Sequence, residues 1–515
     1  MMKLDIIVVL DFGGQYAHLI ARRIREFNVY SEVVNGDISS EEFQDVKKEF
    51  NIKGIILSGG PSSVYNESSP KIDERLLDEN IPILGLCYGH QLLAFIAGGQ
   101  VNQGTKREYG IAYVKVNNSS GILKGLGKSE KVWMSHGDVV TELSKDYEIL
   151  AYTENCPVAA FMHKSKPIYG IQWHPEVAHT ERGMTILRNF VNDICRCIPN
   201  WTMENYIEKT IDEIRGIIKD DKAIVGLSGG VDSSTAAILA SKAIGKKLSA
   251  VFVDHGFLRE NEPEFVESTF KKSDMNFILL NVQEEFLEKM KGIIDPEKKR
   301  KIIGNEFIRA FEKVAKEIKA DYLIQGTIYP DRIESGFRKF SDKIKTHHNV
   351  GGIPSEIEFK AIVEPLRDLY KDEVRKIAEF LRLPKKIAWR QPFPGPGLAV
   401  RIIGEITKEK LDIVKKADKI VTDEVERKGL DEKYWQYFAI LTDTKSTGVK
   451  GDARAYGYTM AIRIVESKEA MTANFADVPY EVLERMSTRI TNEIPEVTRV
   501  VYDITHKPAA TIEWE

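Results

Sequence analysis

At 515 residues the chain exceeds what one hydrophobic core serves, so about two to four domains are expected. Its 43% hydrophobic and 29% charged residues are those of an ordinary soluble globular protein, and 73 basic against 77 acidic residues leave no basic face for nucleic acid. No run of about 18 apolar residues occurs, which excludes a membrane-spanning helix. The apolar run before Asp11 is too short for a signal peptide, and four cysteines in this length suit a reducing cytoplasm rather than a disulfide framework.

The N-terminal third alternates strand and helix. Ile6 to Leu10 is a continuous apolar run, the mark of a strand covered on both faces. A turn over Asp11 to Gln15 and helical spacing over Ala17 to Phe27 follow, and the apolar run recurs at Gly54 to Leu57 and Ile81 to Leu86. This alternation predicts a parallel α/β sheet.

Three segments of this region carry chemistry. In Gly85-Leu86-Cys87-Tyr88-Gly89-His90-Gln91 a strand ends on Cys87 and a helix, Gln91 to Ala97, follows. Glycines two before and two after are what a crowded nucleophile elbow needs, and a helix N-terminus favours a thiolate. A lone cysteine is otherwise a small buried hydrophobe; the glycine setting points to a nucleophile. In Gln172-Trp173-His174-Pro175-Glu176, an extended chain would put His174 and Glu176 on one side. His174 would then take the thiol proton and Glu176 would orient the imidazole. Ser58-Gly59-Gly60-Pro61 is a glycine turn whose N–H groups can form part of an oxyanion hole; the plain alternative is a simple loop.

Together these segments resemble the class I glutamine amidotransferase domain, over a first domain of residues 1–198. The resemblance implies that Cys87 attacks the glutamine side-chain amide and releases ammonia. His174 is then the general acid/base and Glu176 its partner. Gly60, beside Gly59, and the Tyr88 N–H would hold the oxyanion. Gln91 and the turn Ser135-His136-Gly137-Asp138 would lie near the glutamine.

A boundary falls near Pro199, and helical spacing over Met203 to Ile218 leads into a second domain, residues 199–390. There the apolar strand Ala223 to Leu227 runs into Ser228-Gly229-Gly230-Val231-Asp232-Ser233-Ser234, and a helix starts at Asp232. N–H groups at such a turn, backed by a helix N-terminus, suit phosphate oxygens. Gly229 and Gly230 let the main chain approach closely, and Ser228, Ser233 and Ser234 add hydroxyl donors. Asp232 would repel a phosphate unless a cation stood between them, which implies Mg²⁺. No Gly-Lys-Ser/Thr follows, so this is not a Walker loop. The segment, Val231 included, resembles the pyrophosphate loop of the ATP pyrophosphatases, which cleave ATP to AMP and pyrophosphate; it leaves the acceptor open.

Further strands at Leu248 to Val253, Phe277 to Asn281 and Tyr322 to Gln325 predict a doubly wound parallel sheet with its ligand outside the carboxyl ends. Val253 at such an end can touch an adenine ring, although the default for a valine is core. Asp331 and Glu334 follow the fourth strand. Ile344 to Gly352, with Lys345 and His347, is a basic, glycine-ended segment suited to a lid over phosphates. Its adjacent histidines alternate sides when extended, which argues against a metal pair. Lys371, at the start of another helix, can reach a pyrophosphate.

Arg390 to Arg401 is the densest Pro/Gly stretch. Beyond it, Tyr437 to Thr442, Tyr458 to Val465 and Val500 to Ile504 alternate like strands of an antiparallel sheet, with helical segments at Lys408 to Arg427 and Tyr480 to Asn492. This predicts a smaller α+β domain, residues 391–515.

The order of parts, with Ile344 to Gly352, Gln391 to Arg401, Gly451-Asp452-Ala453-Arg454 and the tail Lys507 to Glu515, is similar to that of the glutamine-hydrolysing GMP synthetase family; Ala509 stands where the family often has a second proline. The resemblance implies that ATP and xanthosine monophosphate (XMP) bind with Mg²⁺, that the xanthine O2 is adenylated, and that ammonia displaces AMP. It assigns the acceptor to Arg309, Gln436, Arg499, Lys507, Thr511, Ile512 and Glu513, and the ATP site or its lid to Asp331, Glu334, Lys345 and His347. It also implies a homodimer built on the third domain. A different acceptor, as in an NAD synthetase or a tRNA-thiolating enzyme, is the first rival reading. A non-catalytic glutamine or nucleotide sensor is the second, disfavoured by the presence of Cys87, His174 and Glu176 together.

Overall fold

The structure, a computed structural model, describes residues 3–334, 344–345, 359–467 and 472–515. It forms two compact units, one ending at Tyr206 and the other beginning at Ile207.

The first unit is built on a nine-stranded sheet in the order β2-β1-β3-β4-β9-β8-β7-β5-β6. Strands β1 (Asp5–Asp11), β2 (Tyr30–Asn35), β3 (Asn51–Leu57), β4 (Ile83–Leu86) and β9 (Ile168–Ile171) run parallel. The apolar runs form the middle of this sheet because helices cover both faces: Ile6 to Leu10 are wholly buried. Local sequence sets the helix ends. Ser39 caps Ser40–Glu49, and Glu42 returns a bond to the Ser39 N–H.

Beyond β9 the sheet turns antiparallel through β8 (Ala160–His163), β7 (Tyr147–Tyr152), β5 (Gln100–Val116) and β6 (Ser129–Glu142). This wing is not among the strands expected from the sequence. Its two longest strands, β5 and β6, keep many residues exposed and so lack long apolar runs. One expectation is corrected here: Ser135 to Asp138 is not a turn but lies inside β6. The pairing with β5 slips between Gln103 and Glu108, opposite this segment, as bulges beside functional sites do.

The second unit holds a six-stranded sheet in the order β12-β11-β10-β13-β15-β14. Strands β10 (Ala223–Leu227), β11 (Leu248–Asp254), β12 (Asn276–Asn281), β13 (Tyr322–Ile324) and β15 (Ala361–Val363) are parallel, and β14 (Ile344–Lys345) is an antiparallel edge. Strand order reverses between β10 and β13, which fixes the crevice where a doubly wound sheet takes its ligand. The helix Val231–Ile244 starts there.

A four-stranded sheet follows, with β16 (Gln436–Lys450) and β17 (Ala453–Glu466) as a long hairpin joined by β18 (Asn474–Phe475) and β19 (Val497–Tyr502). The expected antiparallel pattern holds except for β19, which is parallel to β17. The intervening helix Tyr480–Glu493 carries the chain back to its starting side, as a parallel connection requires. One apolar core runs from Ile224 and Val251 through Leu398 and Ile420 to Ile462, so these two sheets share their packing.

Candidate functional site

β4 delivers Cys87 to the carboxyl edge of the first sheet, with φ at 53° and ψ at −103°, a left-handed conformation rare outside glycine. The glycines around it are steric necessities. A Cβ on Gly85 would lie 2.5 Å from the Gly89 carbonyl, and one on Gly89 would lie 2.5 Å from Leu57. The helix begins at once, as Tyr88–Ile96.

His174 follows three residues after β9. Its Nδ1 donates to Glu176 Oε1 at 2.7 Å, and both side chains are buried. The pair lines up although the chain there is not a strand. Burial disfavours the imidazolium, but hydrogen bonds to Cys87 and Glu176 and their negative charges outweigh it and lift His174 to about 10. Tyr16 sits edge-on against its ring at 4.9 Å. The Cys87 Sγ lies 3.4 Å from the Ser135 carbonyl and 3.5 Å from Gln172 Nε2.

These groups open onto a cavity of about 580 Å³ lined by Gly59, Gly60, Tyr88, Gln91, Ser135 and His136, so the structure brings the expected glutamine-site residues together around Cys87 and His174. The glycine turn presses against Cys87 and His174, since a Cβ on Gly59 would lie 3.4 Å from His174 and 3.6 Å from Cys87. Gln91 Nε2 donates to the Asp138 carbonyl at 2.8 Å. His136 contacts Glu108 at 3.2 Å, yet burial outweighs that carboxylate and lowers its pKa. Gln172, Tyr16 and Arg107 were missed as site residues. Only Gln172 carried a signal, its place in the His-Pro-Glu segment.

In the second unit the turn after β10 is knitted by its own serines. Ser233 Oγ accepts the Ser228 N–H at 3.1 Å and lies 2.9 Å from Ser228 Oγ. Gly229 has φ 71°, and Gly230 precedes the helix that holds Val231, Asp232, Ser233 and Ser234 in its first turn. The loop after β13 closes onto them: a Cβ on Gly326 would lie 3.1 Å from the Asp232 main chain. Lys371 Nζ pairs with Asp232 Oδ2, while Asp232 Oδ1 is buried without a hydrogen-bond partner. Val253 is packed in the core. Asp331 accepts the Ile328 N–H at 3.3 Å. Glu334 ends the helix Tyr329–Glu334 and Lys345 lies in β14, their side chains undescribed, and His347 lies outside the described residues. Among the described residues no three His, Cys, Asp or Glu side chains cluster as a metal cage.

Of the residues expected to bind the acceptor, Gln436, Thr511, Ile512 and Glu513 come together. Gln436 Nε2 donates to Glu513 Oε1 at 2.6 Å, Ile512 packs against Phe438, and Thr511 bonds the Glu513 carbonyl. Lys507 joins the tail to Ala473 through main-chain bonds. Three wholly buried cations, none predicted, hold this tail. Arg401 binds Glu513 at 3.1 and 3.0 Å and Asp418 at 3.0 Å. Arg463 binds the carbonyls of Thr505, Thr511 and Ile512, and Lys299 pairs with Glu515. Arg309 is exposed and pairs with Glu306 at 2.8 Å. Arg499 stands apart. It faces Thr459 on β17, whereas Gln436 faces Val465, six residues further along and thus about 20 Å away.

Three family models match successive parts of the chain: a class I glutamine amidotransferase over residues 8–194, an NAD synthase model over 202–342, and a GMP synthase C-terminal domain over 423–514. The fold and these matches define a glutamine amidotransferase joined to a synthetase of the ATP pyrophosphatase type. Full-length relatives narrow the class. The chain is 54% identical to the glutamine-hydrolysing GMP synthase of Caldicellulosiruptor saccharolyticus, 52% to that of Clostridium tetani and 51% to that of Finegoldia magna, each over 100% of both chains. It belongs to the glutamine-hydrolysing GMP synthase family.

Proposed function

We propose that this chain aminates XMP to GMP, with glutamine as nitrogen donor and ATP cleaved to AMP and pyrophosphate. The observation that carries the first half is the buried Cys87–His174–Glu176 arrangement on a strained elbow. Cys87 Sγ attacks the amide carbon, and His174 takes the thiol proton and passes it to the departing ammonia. The Gly60 and Tyr88 N–H groups receive the developing oxyanion. Water then cleaves the thioester to glutamate.

In the synthetase unit the Ser228–Ser234 turn takes the ATP phosphates. The xanthine O2 attacks the α-phosphorus, pyrophosphate leaves, and ammonia then adds at C2 as AMP departs. Lys371 neutralises the leaving pyrophosphate, and Asp331, Glu334, Lys345 and His347 serve the ATP site or its lid. The Gln436–Glu513 cluster reads the acceptor base, and Lys507 and Arg309 supply cations for its phosphate. The unpartnered Asp232 Oδ1 fits Mg²⁺ held otherwise by phosphates and water, where the ion would neutralise phosphate charge. The GMP synthase C-terminal model and the full-length relatives favour XMP over the acceptor of an NAD synthetase.

A homodimer suits two features. Arg499 is too far from Gln436 to share one acceptor site within a chain, and Val449, Tyr456 and Val501 are exposed apolar residues on the sheet that carries it. A cytoplasmic location suits the four free cysteines. Among the described residues no helix is long and apolar enough to cross a membrane.

The test replaces Cys87 by Ala and follows AMP with XMP, deamido-NAD or tRNA as acceptor. Glutamine-driven GMP formation should vanish while ammonia-driven formation persists. AMP release with another acceptor, or loss of both activities, would refute the reading.

A further inference from the structure

We infer that Arg390 and Glu262 are positioning residues for the phosphate-binding turn, setting the orientation of one of its peptides. Neither residue touches the reacting atoms in this account. The inference rests on the reading of Ser228–Ser234 as the ATP phosphate loop.

The starting point is why position 229 is glycine. A Cβ there would lie 2.7 Å from Arg390 Nη1 and 3.0 Å from Glu262 Oε1. Close approach by a phosphate is one reason for a glycine, but here a guanidinium–carboxylate pair already occupies the space. Arg390 Nη1 donates to the Gly229 carbonyl at 2.9 Å and forms an ion pair with Glu262. Both side chains are nearly buried, 12% and 5% exposed. Glu262 is itself fixed, because its other oxygen accepts the Arg259 N–H at 3.1 Å.

The carbonyl and the next N–H of a trans peptide point in opposite directions. With the Gly229 carbonyl turned onto Arg390, the Gly230 N–H is turned the other way, where it meets Ser228 Oγ at 3.3 Å. Glycine at φ 71° permits either orientation of this peptide with little bias of its own. A flipped peptide would present a carbonyl oxygen to the phosphates and lose a donor. Arg390 removes that choice. Glu262 neutralises its charge and both side chains are nearly buried, so the pair orients the turn rather than attracting the nucleotide.

The test uses the full chain in ammonia-driven synthesis and compares Arg390→Lys, Glu262→Gln and Asp232→Ala. Lysine keeps the charge but lacks the planar guanidinium, whose Nη1 meets both the carbonyl and the carboxylate. Arg390→Lys should raise the KM for ATP and the inhibition constant of Mg²⁺-pyrophosphate about 10-fold or more, the scale of a charge-assisted hydrogen bond. The KM for XMP and the glutaminase rate should stay within about twofold, as a check on folding. Glu262→Gln, which keeps the shape, should shift the same two constants by a smaller factor. Equal changes in the KM values for ATP and XMP, or an unchanged KM for ATP in Arg390→Lys, overturn the inference. If the latter comes with loss of synthesis in Asp232→Ala, the loop reading survives alone. Full synthesis by Asp232→Ala removes the loop reading and this inference with it.

Discussion

Glu176→Gln isolates the role of charge behind the imidazole. The carboxylate is buried, and its Oε1 accepts His174 Nδ1–H at 2.7 Å. Glutamine keeps size and an acceptor and removes only the charge. Hydrogen bonds to a charged group contribute about 1.5–3 kcal/mol against about 0.5–1.5 for neutral ones, so the loss is about 1–2 kcal/mol. At about 1.36 kcal/mol per tenfold, kcat/KM for glutamine should fall about 5- to 30-fold. The pH dependence gives a second signature. His174 sits at about 10 against an ordinary 6.5, so the folded state holds its proton more tightly. The stabilisation this gives is complete below the ordinary value and is lost as pH rises through the folded one. Without the Glu176 charge, burial still pushes the imidazole down, so the alkaline limb of glutaminase activity should move to lower pH. The assay is glutamate release across pH, with ammonia-driven AMP formation measured in parallel. An unmoved alkaline limb, or an equal fall in the ammonia-driven rate, would refute this reasoning.

Gly89→Ala should destabilise the first unit by about 2 kcal/mol or more and abolish glutaminase activity, because the added methyl meets the Leu57 side chain at 2.5 Å and its carbonyl at 2.6 Å. Calorimetry should show one unit's transition lowered while ammonia-driven synthesis remains. Glu424→Gln should cost about 1 kcal/mol, read as a lower Tm, since it removes the charge that gathers the partly exposed Arg427, Arg485 and Arg489 while keeping an acceptor. Burial works to raise the pKa of Glu424, but hydrogen bonds from these arginines prevail and hold it at about 2. The stability it lends should therefore be present above the ordinary 4.5, decline as pH falls toward the folded value, and be missing from the pH profile of the glutamine variant.

The parallel cores of both units were legible because strands buried on both faces leave apolar runs, and because turns such as Gly85 to Gly89 need glycine for reasons written in their spacing. The antiparallel wing was not, since β5 and β6 show water one face and carry charged residues throughout. The juxtaposition of Cys87, His174 and Glu176 was readable from two short segments because each places its side chains locally. The cations under the tail were not: a buried Arg401 looks in sequence like any surface arginine until Asp418 and Glu513 arrive from distant segments. Arg499 shows the same limit, since only the register of β17 separates it from Gln436.

The tail after β19 has little regular secondary structure, and Arg401, Arg463 and Lys299 fasten much of it from beneath. Freeing the Glu513 carboxylate would leave Arg401 with Asp418 alone in a dry interior, so loosening this fastening is costly. If the tail reads the acceptor as proposed, a change at any one of its three fastenings would be felt at Thr511, Ile512 and Glu513, however distant that change lies in the sequence.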